Sequence, residues 1–99
     1  MKYQLSEQFR KKYKKQNIRI RKVIDNALEK FYRDHNDSSL NNHALKRELA
    51  GFHSIAIEDP KNDLRALYEE IQDENTIFAY FETFGTHKEL FKSQNSKDN

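Results

Sequence analysis

The sequence predicts an α+β domain, with an N-terminal helical hairpin packed on a mostly antiparallel sheet of four or five strands and a short C-terminal helical turn. Three observations carry this. Apolar residues recur at helical spacing between Ile20 and Phe31, four short apolar runs follow between Leu45 and Thr83, and clusters of turn-forming residues separate those runs. Ninety-nine residues suffice for one core. The domain is taken as 1–92, and the polar stretch 93–99 is expected to be a disordered tail.

The elements follow in order. Ser6 can cap a first helix running to about Lys15, with Phe9 and Tyr13 on one side. Asn17 can cap a longer second helix, in which Ile20, Ile24, Ala27, Leu28 and Phe31 form the core stripe and Arg19, Lys22, Glu29 and Arg33 face water. The stretch from Asn36 to Asn42 has turn composition without periodicity and reads as a mobile connection. Strands are expected at Leu45 to Leu49, Phe52 to Ile57, Leu64 to Ile71 and Thr76 to Thr83, the last two as a hairpin. Turns fall at Gly51, at Glu58 to Asp63 and at Gln72 to Asn75. Apolar residues on both faces of these strands imply helices on one side of the sheet and a tail or partner on the other.

Charge is unevenly distributed. The net charge is +2, yet residues 1–33 carry +8 and residues 34–99 carry −6. The basic half centres on Lys11, Lys12, Lys14 and Lys15, with Tyr13 and Tyr32 interleaved. Such a surface attracts a polyanion through counterion release, and its tyrosines can stack on bases. A solvated helix face accounts for the same run equally well. With no Cys and no close spacing among His35, His43, His53 and His87, neither a disulfide nor a metal site is expected, and no cofactor is. No apolar stretch reads as a signal peptide or membrane span, so a cytoplasmic protein without membrane contact is the expectation.

The run Gly85-Thr86-His87-Lys88-Glu89-Leu90-Phe91 holds the chemistry-bearing signal. Gly85 suggests a turn, and Thr86 with Glu89 three residues on fits a capping box, so a helical turn should start at His87 with Leu90 packing inward. The imidazole would then sit in the first turn, beside amides that attract phosphate oxygens. The same seven residues also fit a plain helix stop with a solvated His87.

This run resembles the Gly-Thr-His-x-x-Leu-Phe ending of the RelE/ParE toxin superfamily, above all its YafQ-like messenger RNA endonucleases. His43-Ala44-Leu45-Lys46, followed by Leu49-Ala50-Gly51-Phe52, resembles the family's His-x-Leu-Lys segment and Gly-aromatic turn. Leu64-Arg65-Ala66-Leu67-Tyr68 resembles its Arg-containing central strand. The likeness spans Phe9 to Phe91 and implies the RelE-like fold.

The resemblance further implies metal-independent cleavage of mRNA, on the ribosome, by a toxin that a cognate antitoxin neutralises in a hetero-oligomer. In that chemistry a base takes the proton of a ribose 2′-hydroxyl, cations steady the phosphate and an aromatic holds a base. His87 is the expected acid or base and Arg65 the expected phosphate clamp, with a strand salt bridge to Glu82 or Glu69 as the other reading of Arg65. His43 and His53 are further candidates for catalysis. Lys46, Arg47, Phe91 and the four lysines of the first helix are candidates for RNA contact, although Phe91 fits a core plug as well. Three positions depart from the pattern: Thr83 stands where YafQ-like members carry Arg, Ala56 where they carry His, and Asp63-Leu64 where they carry Asp-Trp. A non-catalytic ParE-like toxin that binds a topoisomerase, or an inactive RNA-binding relative, therefore stays open. A small α+β adaptor without a site is the remaining alternative.

Overall fold

The computed structural model describes residues 1–58 and 63–91, so the expected tail 93–99 and most of the turn at 58–63 lie outside the described residues. Along it run β1 (Tyr3–Leu5), α1 (Glu7–Lys14), α2 (Ile18–Arg33), β2 (His43–Ala44), β3 (Phe52–Ile57), β4 (Leu64–Asp73), β5 (Thr76–Thr86) and α3 (His87–Leu90). Single 3-10 turns lie at Ser38–Leu40 and Arg47–Leu49. None of the described helices is long and apolar enough to cross a membrane.

Both N-terminal helices start at the residues whose side chains can cap them. Ser6 Oγ accepts the Phe9 amide at 2.9 Å and donates to the Glu82 carbonyl at 2.6 Å, so one hydroxyl starts α1 and fastens it to β5. Asn17 Oδ1 accepts the Ile20 amide at 2.9 Å and starts α2. The expected stripe of α2 is the buried one: Ile20, Ile24, Ala27, Leu28 and Phe31 are all buried. Burial of each large side chain there contributes about 1.5–3 kcal/mol, which offsets the entropy of ordering the helix.

The described strands form one sheet in the order β1-β5-β4-β3-β2, with β1 parallel to β5 and every other pairing antiparallel. Because side chains alternate across the pleat, register assigns each residue to a face. Ile55, Ile57, Leu64, Ala66, Tyr68, Ala79, Phe81 and Phe84 face the helices and join their core. Aromatic edges hold its centre: the Phe31 ring lies 5.1 Å from both Tyr68 and Phe81, and Phe9 lies 4.8 Å from Phe84. The opposite face, here called the open face, carries Arg65, Leu67, Glu69 and Ile71 of β4.

The structure corrects five expectations. The fifth strand is the N-terminal Tyr3–Leu5, whose identity comes from pairing with Ala79–Phe81. The strand expected at Leu45 to Leu49 is instead the two-residue β2, after which Arg47 takes a left-handed φ of 58° in a 3-10 turn. The Asn36 to Asn42 connection is anchored: Asp37 caps the Ser38–Leu40 turn, Leu40 is buried, and Asn42 bonds both the His35 carbonyl and the Tyr68 hydroxyl. β5 runs three residues past Thr83, because register shifts between Leu67 and Tyr68 leave Glu82 without a cross-strand partner and let pairing resume. Gly85 therefore lies inside β5 opposite Arg65, and Gly51 is the glycine with a positive φ.

Candidate functional site

The site is built where β5 ends. Thr86 Oγ1 accepts the Glu89 amide at 3.2 Å while Glu89 Oε1 accepts the Thr86 amide at 2.8 Å, which is the reciprocal capping box expected from their spacing. α3 starts at His87 as a result. Gly85 sits at a close approach: a Cβ there would come within 3.1 Å of Glu89 Oε1 and of Lys12 Nζ, and 3.4 Å from Leu90, so those side chains would have to shift to admit one. The backbone bond to the Thr86 amide, with Lys12 nearby, holds the Glu89 carboxyl below its ordinary value. A lowered carboxyl stabilises the fold above its unfolded pKa and loses that contribution as pH falls through the folded value. Acidification below the usual glutamate range should thus fray α3 first, read as faster amide exchange at Glu89 than in α2. A Glu89→Gln variant should show no such acid step.

One residue ties the pieces together. Asp63 accepts the His87 amide on its carbonyl at 3.3 Å, and its Oδ1 lies 3.5 Å from Arg65 Nη2. The left-handed φ of 46° at Asp63 turns the chain so that carbonyl and carboxylate serve two partners. In sequence Asp63 closes a turn and precedes the central strand; the signal available there is that Asp tolerates this backbone region. The salt bridge expected of Arg65 is to Asp63 and not to Glu82 or Glu69. The Arg65 side chain is 20 % exposed and its Nε is buried without a partner among the described residues. It keeps donors for an anion.

Other candidates fall in different places. His43 is exposed on β2 opposite Ser54, so it shares the open face with Arg65, and its Nδ1 lies 2.7 Å from the Asn41 carbonyl. His53 sits opposite Tyr68 on the helix-packed face, stacked on that ring at 4.9 Å with Nε2 3.7 Å from Glu70. The pleat separates it from Arg65. His87 is exposed, and its ring centroid is 4.6 Å from that of Phe91, which is itself buried. The amides of the α3 first turn are already used, at Asp63 and within the capping box, so fewer are left for a phosphate than the sequence suggested.

Among the lysines of α1, Lys12 is engaged within the fold: its ammonium donates to the Phe84 carbonyl and lies 5.1 Å from the centre of that ring. Lys11 pairs with Glu7 at 3.0 Å in full solvent, a contact worth little. Lys14 and Lys15 are exposed, as are Lys46 and Arg47 at the second 3-10 turn. Among the described residues no three His, Asp or Glu side chains converge on a metal position.

No protein-family model matches the sequence, and no curated protein matches it in sequence either. Solved structures do match in shape. YafQ from E. coli superposes with a TM-score of 0.67 at 20% identity, covering 90% of this chain and 96% of that one. A YoeB/ParE toxin from Agrobacterium tumefaciens gives 0.66 at 17% identity, covering 88% and 99%. The RelBE2 toxin–antitoxin complex from Mycobacterium tuberculosis gives 0.55 at 24% identity, covering 87% and 96%. The chain has the RelE/ParE toxin fold. In that fold Arg65 of β4, Gly85 of β5 and His87 of α3 lie at the β4–β5–α3 junction, whereas the His43 to Lys46 segment and Phe52 lie on and beside β2 and β3.

Proposed function

We propose that this chain is the toxin of a toxin–antitoxin pair and cleaves mRNA without a metal, on the ribosome. The observation that carries the reading is the link from the His87 backbone amide through Asp63 to Arg65, which ties the start of α3 to a partly desolvated guanidinium at one end of the open face. Arg65 grips the scissile phosphate. His87 exchanges a proton with the reacting ribose or with the departing oxygen. The 2′-oxygen forms its bond to phosphorus as the P–O5′ bond breaks, the 2′-proton passes to the base and the 5′-oxygen takes one from the acid, leaving a 2′,3′-cyclic phosphate and a 5′-hydroxyl. The exposed lysines of α1 draw in the RNA, and an antitoxin segment covers the open face to silence it.

A second reading has one observation in its favour. The residues flanking Arg65 across the sheet, Ala56 and Gly85, hold no titratable group. That suits a ParE-like toxin acting by binding a topoisomerase. Mapping transcript 5′ ends after a brief pulse of expression separates the two: cuts at reproducible codons that vanish with His87→Ala support cleavage. Growth arrest with intact transcripts and stalled gyrase supports the alternative.

A further inference from the structure

Two rows along the sheet from Arg65, the open face changes character. Register places Gln4, Tyr80, Glu69 and Phe52 side by side on four adjacent strands. Directly opposed side chains have Cβ atoms about 4.5–5.5 Å apart, so the Glu69 carboxylate stands between a phenol and a phenyl ring. All three of these side chains are half-buried. Among the described residues the Glu69 carboxylate has no hydrogen bond and no ion pair. A lone carboxylate repels phosphate, so an RNA backbone gripped at Arg65 would present a base to this row, not its own charge. The row lies about 13 Å from Arg65 along the strand, at the usual rise per residue.

We infer that Glu69, between Tyr80 and Phe52, reads a guanine base flanking the phosphate held at Arg65; this rests on the RNA-cleaving reading above. A carboxylate offers two acceptors and no donor. Guanine has two adjacent donors on its Watson–Crick edge, N1–H and the N2 amine, and matches it in two parallel bonds. Adenine and cytosine put an acceptor beside their amine, and uracil flanks its N3–H with two carbonyls, so each of these meets at least one repulsion. The aromatic neighbours supply sequence-independent stacking, and the carboxylate supplies the choice.

The test uses uncleavable 2′-O-methyl RNA hexamers, one with a single guanine and one with inosine in its place, which lacks only the N2 amine. The wild-type chain should bind the guanine oligonucleotide roughly tenfold more tightly, the usual discrimination from a bidentate contact. Glu69→Gln should hold both about equally while unfolding at the wild-type temperature. Equal wild-type affinity for the two, or a guanine preference that survives in Glu69→Gln, overturns the inference and leaves the RNA reading standing. Failure of the wild-type chain to bind either one overturns both.

Discussion

Phe31→Ala should destabilise the chain by about 3–5 kcal/mol, the cost of emptying a fully buried aromatic site. Phe31 is 0% exposed and is the hub of the aromatic core, meeting Tyr68 and Phe81 at 5.1 Å, Tyr3 at 6.4 Å and the His35 ring at 6.0 Å. Its removal detaches α2 from β1, β4 and β5 at once. Small domains have about 5–15 kcal/mol in total, so this one truncation should move the urea midpoint by a large fraction of its value. The neighbouring Tyr32 is 56% exposed, and Tyr32→Ala should stay within about 0.5 kcal/mol. A Phe31→Ala midpoint no lower than that of Tyr32→Ala would show that the core is not organised around this ring.

What was legible in the sequence was local. Ser6, Asn17 and Thr86 cap helices through bonds that span three residues, so their spacing announces α1, α2 and α3 without any knowledge of the rest. β1 is the opposite case. Tyr3-Gln4-Leu5 has no strand signature of its own and becomes a strand because Ala79–Phe81 lies alongside, more than 70 residues away in sequence. The same non-locality hid the roles of two residues in the site. Gly85 looked like a turn and is in fact a close approach, because Lys12 reaches it from α1. His53 is a candidate for catalysis in sequence, yet register places it and Arg65 on opposite faces. A one-residue difference in strand parity decides that question, and composition does not report parity.

His87→Ala and Arg65→Gln should both slow RNA cleavage steeply, and by separable routes. Removing a positioned acid or base costs about 10²–10⁴ in rate. Removing a preorganised cation from the charge that grows on the non-bridging oxygens costs about 10²–10³. The two losses differ in what restores them. Arg65→Gln removes a cation that no proton carrier replaces, so added imidazole should leave its rate unchanged. His87→Ala should be partly restored by added imidazole, since the group that carried the proton is gone. Asp63→Asn offers a third comparison: it keeps the backbone carbonyl that holds the His87 amide and weakens the 3.5 Å contact to Arg65, so it should resemble a mild Arg65 variant. Each rate is to be measured on a single-stranded RNA bound to programmed ribosomes, with and without a chelator and with a 2′-deoxy residue at the cut. Cleavage should ignore the chelator and fail on the deoxy substrate, because the attacking oxygen belongs to the RNA. If His87→Ala cuts at the wild-type rate, the imidazole at the head of α3 takes no part in proton transfer, and the open face serves binding alone.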